Sequence, residues 1–159
     1  MHPNVDRVVA AGRDAGLELA VERFPAGTRT AGDAARAVGC EVAQIVKSLV
    51  FVAGDDPVVA LVSGSNRVDL DRLATALGAP GARRANGDEA REATGFAIGG
   101  VPPFGHGRPL TVVVDRDLMA HEVVWAAAGL PDAVFAIAPD DLLRASGGRV
   151  IDLAEAATT

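Results

Sequence analysis

Between Asn4 and Ala15 the apolar positions follow a helical period, with Val5, Val8 and Val9 on one face. From Leu17 to Phe24 the period drops to two, with Leu17, Leu19 and Val21 alternating as in a half-buried strand that Pro25-Ala26-Gly27 ends. Thr30 is placed to cap a helix over Ala31 to Val38, and Gly39 to stop it. Glu41 to Val46 reads as a short helical turn leading into a strand, Ser48 to Val52. The turn Gly54-Asp55-Asp56-Pro57 then returns the chain as a second strand, Val58 to Val62, so this pair predicts a hairpin.

Leu70, Leu73 and Leu77 share a face of a helix predicted over Asp69 to Leu77, closed by Gly78, and Gly87 to Glu92 predicts another short helix. After Phe96-Ala97-Ile98 comes a Gly/Pro-rich loop, Gly99 to Pro109, and then a strongly apolar and therefore central strand, Leu110 to Val114. The stretch His121 to Ala128 has helical alanine content. The turn Gly129-Leu130-Pro131-Asp132 between Val123-Val124-Trp125 and Ala133 to Ile137 favours a hairpin instead. Pro139 opens a last short helix, Asp140 to Ala145, before a strand at Arg149 to Leu153. Strands joined partly by hairpins and partly by helices predict a single α/β domain with a mixed sheet and helices outside it.

Composition narrows the function. The 159 residues are 49% hydrophobic, enough for a sizeable core and far from a disordered composition. No apolar run approaches a membrane span, and charges scattered through the first sixteen residues do not resemble a signal peptide. One cysteine, Cys40, supports neither an internal disulfide nor a cysteine zinc site, so a reducing cytoplasm is expected. The net charge of −6 argues against sequence-independent binding along DNA or any long nucleic-acid backbone. A local basic patch that holds one strand end remains compatible with it. Arg67, Arg72, Arg83 and Arg84 are available for such a patch, and on sequence alone they read as ordinary solvated arginines.

Of the 15 basic residues only Lys47 is a lysine, and it sits in the apolar stretch Ile45 to Phe51. Such a lysine either points to solvent with its stem over apolar surface or stands at the floor of a pocket. In the second case its compact ammonium holds a phosphate or a carbonyl oxygen, where arginine is too large and too rigid. In the loop, Gly99 and Gly100 let a ligand approach backbone amides, while Pro102 and Pro103 stiffen the turn. The loop is then either an oxyanion-binding turn or a rigid surface connection, and it is neither a P-loop nor a dinucleotide fingerprint. Ser63-Gly64-Ser65-Asn66-Arg67 ends a strand, where hydroxyls and amides bind ligands or cap the helix that follows. No Gly-x-Ser-x-Gly elbow appears, and no His/Cys/Asp spacing indicates a metal.

Taken together, Ala34-Ala35-x-Ala37-Val38-Gly39, Ile45-Val46-Lys47-Ser48-Leu49, Ser63-Gly64-x-Asn66-Arg67-Val68-Asp69 and Thr94-Gly95-x-x-Ile98-Gly99-Gly100-Val101-Pro102-Pro103-Phe104-Gly105 resemble the YbaK family, also called the prolyl-tRNA synthetase-associated editing domain. The resemblance runs from about Val5 to Leu153. It implies a bent, partly closed mixed sheet surrounded by helices. It implies hydrolysis of mischarged aminoacyl-tRNA, often tRNA for proline, with no cofactor and no protein nucleophile. Water or the terminal ribose hydroxyl then attacks.

By the same resemblance Lys47 and Gly100 carry the catalysis. The resemblance places Val101, Pro102 and Pro103 at the pocket with them, and Ser48, Ser63, Asn66, Gly99, Phe104, Gly105 and His106 are the further residues expected to bind substrate. Gly99 to Gly105 are expected to face Lys47 and Ser63 across a pocket. The implied partners are the aminoacylated acceptor end of tRNA and an aminoacyl-tRNA synthetase. The cysteinyl-tRNA branch carries an acid in a Gly-Leu-Asp-Ile segment, for which this chain has Ala133-Val134-Phe135-Ala136. Alanyl, seryl and threonyl esters therefore stand beside cysteinyl esters as expected substrates.

Overall fold

The computed structural model describes residues 2–24 and 30–156, so the expected strand stop at Pro25-Ala26-Gly27 lies outside the described residues. Helix α1 (Pro3–Asp14) is followed by β1 (Val21–Arg23), α2 (Ala31–Val38) and a 3-10 turn at Val42–Gln44. The hairpin β2 (Val46–Ala53) and β3 (Asp56–Ser63) comes next, then α3 (Leu70–Leu77), β4 (Ala82–Arg84) and α4 (Gly87–Thr94). After a long loop come β5 (Thr111–Asp115), a 3-10 turn at Arg116–Ala120, the hairpin β6 (Val124–Ala127) and β7 (Ala133–Ile137), α5 (Pro139–Ser146) and β8 (Arg149–Ile151). None of the described helices is long and apolar enough to cross a membrane.

The strands form a five-stranded sheet in the order β4-β2-β3-β5-β8 and a three-stranded sheet in the order β1-β7-β6. β3 pairs antiparallel with β2 and parallel with β5, so the larger sheet is mixed. Val59 to Val62 of β3 have no exposure at all, because both faces of the strand are covered. On one face Val46, Val50, Val59 and Leu61 pack with Val5 and Val8 of α1, Phe104 of the long loop and Phe135 of the smaller sheet. On the other, Phe51, Val58, Ala60 and Val62 pack against Leu73 of α3 and Leu153.

The helices begin and end where their local chemistry allows. Thr30 Oγ accepts the Asp33 amide, Asp69 accepts the amides of Asp71 and Arg72, and Asn86 with Glu89 forms a reciprocal capping box.

The sheets do not close on each other. β4 covers the outer edge of β2 only from Phe51 to Ala53. Further along that edge, β6 touches the chain through one isolated parallel bridge, Ile45 to Trp125. From Val46 to Leu49 the outer edge of β2 therefore has no strand partner among the described residues. The expected single bent sheet is split at this gap, which a cavity occupies. The first strand is also shorter than its alternation predicts, at Val21–Arg23. β4, with two arginines among its three residues, carries no strand pattern at all.

Candidate functional site

The cavity over the bare edge of β2 has a volume of about 310 Å³, within the range of small-ligand sites. Successive side chains of a strand point to opposite faces, and the packing places Val46 and Val50 on one face and Leu49 and Phe51 on the other. Ser48 thus goes with Val46 and Val50, and Lys47 with Leu49. Because the cavity wraps the edge, residues of both faces line it. Ala31 and Ala34 of α2 form one end, Trp125 and Ala126 of β6 a side, and Ile98, Gly99 and Val101 the wall across from β2.

Lys47 is half-buried, and its Nζ donates to the Asn66 carbonyl at 2.5 Å. Burial first, then the nearby charges of Arg84 and Arg67, pull its pKa below the lysine value of 10.5, while Asp115 opposes them. Asn66 is held in turn, since its Nδ2 donates to the carboxylates of Asp115 and Asp117, each at 2.8 Å. Asp115 is buried at 1% exposure and also accepts the Ser63 and Asp117 amides at 3.0 Å. A carboxylate at the end of an apolar strand thus anchors the turn on which the lysine rests.

Ser48 Oγ is buried without a hydrogen-bond partner, the one such side-chain atom among the described residues. An unsatisfied buried hydroxyl costs about 1–3 kcal/mol, so a cavity-lining serine in that state is set up to meet a ligand. Ser48→Ala is therefore expected to leave thermal stability unchanged or slightly raised. It should lower kcat/KM about 3- to 10-fold, the worth of one ordinary hydrogen bond. A clear fall in melting temperature would show that the hydroxyl serves the fold instead.

The loop residues divide. Gly99 and Val101 line the cavity, and neither amide has a partner among the described residues. Gly100 lies between them but is buried, and its amide donates to the Ala97 carbonyl at 3.0 Å. The amide expected to meet an oxyanion is thus spent on the turn itself, and the open amides are those of its neighbours. Gly100 packs against backbone, where a Cβ would stand 2.9 Å from the Gly129 oxygen and 3.0 Å from the Leu130 Cα. Neither can swing aside, so Gly100→Ala should displace the loop at about 1–3 kcal/mol, read as a lower melting temperature with reduced turnover. Unchanged melting would refute the close approach.

The other expected binding residues do not line the cavity. Ser63 is buried at 1% exposure, its hydroxyl donating to the Ala43 carbonyl at 2.7 Å. Pro102, Pro103 and Phe104 are buried, with the Phe104 ring against Phe135. Gly105 packs on α1 at Ala11. His106 Nε2 donates to the Pro102 carbonyl at 2.8 Å, and burial pushes its pKa down. This half of the loop braces the half that faces the cavity. Cys40 lies outside the cavity lining, and burial, then Glu41, pushes its thiol pKa up, away from nucleophilic use. Arg84 and Trp125 line the cavity, and Asp115 anchors it from behind; from sequence Arg84 read as an ordinary solvated arginine, and Trp125 and Asp115 were not singled out.

Residues 25–145 match the aminoacyl-tRNA editing domain family. The YwhH protein of Bacillus subtilis (strain 168) is 30% identical over 131 residues, covering 82% of this chain and 83% of that protein. The proline--tRNA ligase of Streptococcus mutans is 34% identical over 88 residues, which make up 55% of this chain but only 14% of the ligase. Among solved structures, one described as a candidate trans-editing enzyme for prolyl-tRNA synthetase superposes with a TM-score of 0.92 and 49% identity, over 98% of this chain and 99% of that one. The family match contains β2 with Lys47, the Gly/Pro loop and the β6–β7 hairpin, the elements that wall the cavity. By that match, the chain belongs to the aminoacyl-tRNA editing domain family.

Proposed function

We propose that this protein is a hydrolase that deacylates mischarged aminoacyl-tRNA, acting on tRNA for proline carrying a small amino acid such as Ala, Ser, Thr or Cys. The observation that supports this reading is the cavity itself, lined by Lys47, by Ser48 with its orphan hydroxyl, and by Gly99 and Val101, whose amides have no partner among the described residues. In this reading the ester carbonyl lies between Lys47 and the amides of Gly99 and Val101, which stabilise negative charge as it develops on the oxygen. Water adds to the carbonyl carbon, directly or after the neighbouring ribose hydroxyl has first taken over the acyl group as a new ester that water must still cleave. The bond to the esterified ribose oxygen then breaks, and that oxygen leaves as a hydroxyl with the proton given up by the attacking group. The alanine-rich lining suits a small acyl group. A synthetase separates amino acids that differ by one methylene by only about 1–3 kcal/mol, so a second hydrolytic sieve adds the missing selectivity.

The test is release of amino acid from tRNA for proline charged in turn with Ala, Ser, Thr, Cys and Pro. Faster release of at least one non-cognate amino acid than of proline is the expected result. Release of every ester at the rate seen in buffer would overturn the reading, and RNA binding without release would point to a binding module.

A further inference from the structure

The four arginines available for a basic patch fall into two pairs. Arg72 bridges Asp152 at 3.1 Å and lies 3.9 Å from Asp69, and Arg83 grips both oxygens of Glu89 at 2.8 and 2.7 Å. Their charges are spent locally. Arg67 and Arg84 have no carboxylate partner among the described residues, and both are exposed. Seven other arginines, Arg72 and Arg83 included, do have one.

Arg7, Arg91, Arg108 and Arg149 also lack a carboxylate partner among the described residues, and what sets Arg67 and Arg84 apart is their position beside Lys47. Arg84 lines the cavity with it, the guanidinium 5.7 Å from the centre of the Phe51 ring on the lysine's face of the sheet. Arg67 follows Asn66, whose carbonyl holds the ammonium. After burial, the charges of both arginines act to lower the lysine's pKa. The acid that opposes them, Asp115, is already occupied by the Ser63 and Asp117 amides and the Asn66 side chain. Lys47 and Arg84 line the cavity and Arg67 lies one residue past the carbonyl that holds the ammonium, so three like charges stand near one another in a chain of net charge −6 and repel until an anion enters between them.

We infer that Arg67 and Arg84, beside Lys47, form a cradle for the phosphodiester of the last nucleotide of an RNA strand, with the cavity receiving what that nucleotide carries. This rests on the proposed deacylase reading and deepens it. The cavity recognises the acyl group, and the cradle recognises the strand end from one or two phosphates. Such a footprint is small enough for an acidic protein. Arginine suits it, because its planar fork grips phosphate oxygens in pairs.

The experiment measures binding of a fluorescent single-stranded oligoribonucleotide ending in CCA, uncharged, across a salt series, for the natural protein, Arg67→Gln and Arg84→Gln. Arg91→Gln serves as a control, because it alters an exposed α4 arginine outside the cavity lining. Each cradle variant is expected to weaken binding about 10-fold and to flatten the slope of log K against log salt by about 0.7, the value of one phosphate contact on a single strand. Arg91→Gln should change neither. Inorganic phosphate is the second probe. Competition only at millimolar levels marks the site as one for an RNA phosphodiester, whereas free phosphate binding as tightly as the oligonucleotide would overturn that assignment. Unchanged affinity and slope in both cradle variants would also overturn it. Because this readout needs no turnover, it fails separately from the deacylation assay. Release of amino acids with RNA binding indifferent to Arg67 and Arg84 removes the cradle alone, and intact cradle-dependent binding without release removes the hydrolase alone.

Discussion

Lys47→Ala is expected to lower deacylation about 100- to 1000-fold on the best mischarged substrate, the range for removing one preorganised charge from a developing oxyanion, about 2.7–4 kcal/mol. The protein should remain folded, because the half-buried lysine gives up a single bond, to the Asn66 carbonyl. Lys47→Arg should fail as well, since the larger planar guanidinium does not fit the place of an ammonium beside Arg84. The charge state makes the same point by another route. Burial and the two arginines lower the lysine's pKa from 10.5, so its ammonium is lost as pH rises through that lowered value. The enzymatic rate, corrected for spontaneous ester hydrolysis, should therefore decline on the alkaline side before the ordinary lysine range is reached. Near-normal turnover by Lys47→Ala with unaltered melting would move the chemistry to the loop amides alone.

The largest stability effect is expected at Asp115. Asp115→Ala strips the acceptor from the Ser63 amide, the Asn66 side chain and the Asp117 amide at one stroke. With about 1–3 kcal/mol for each buried donor left unpaired, and water able to reach some of them, a loss of about 3 kcal/mol follows. In a chain of this size that is a fall of about 10 °C in melting temperature, measured calorimetrically or by circular dichroism. Asp115→Asn, which keeps one acceptor oxygen but brings an amide donor toward other donors, should fall between. Melting of Asp115→Ala within a degree of the natural protein would show that the network is not holding the turn.

Local signals made most of the elements legible. The hairpin of β2 and β3 was readable because the turn residues Gly54-Asp55-Asp56-Pro57 separate two apolar runs, and the helices because Thr30, Asp69 and Pro139 mark starts and glycines mark stops. β4 was not readable, since Ala82-Arg83-Arg84 pairs through its backbone and its arginines work at the surface. The long strand over Leu17 to Phe24 reduces to three residues because only Val21 to Arg23 finds a partner, in β7. The gap between the sheets was equally hidden, as it depends on where β6 leaves Ile45, a contact eighty residues apart in sequence.

In the site, the lone lysine stood out by type, but its neighbours did not. The loop motif reads as one continuous unit, yet alternate residues do different work: Gly99 and Val101 face the cavity while Gly100 turns its amide inward. Ser63 looks like a strand-end ligand and is instead a buried strut. Whether an arginine is free or spent depends on which carboxylate the fold brings beside it. Arg83 and Arg84 are adjacent in the chain and differ in that respect.

The seam between the two sheets separates two jobs. Lys47 belongs to one hydrogen-bonded sheet, whereas Ala126 and Val134, which line the same cavity, belong to another, and a single bridge at Ile45 joins them. On the proposed reading, enlarging or shrinking a side chain on the smaller sheet is expected to change which amino acid is accepted without disturbing the strand that carries Lys47. Acyl preference and the lysine would then be tuned by substitutions in separate sheets.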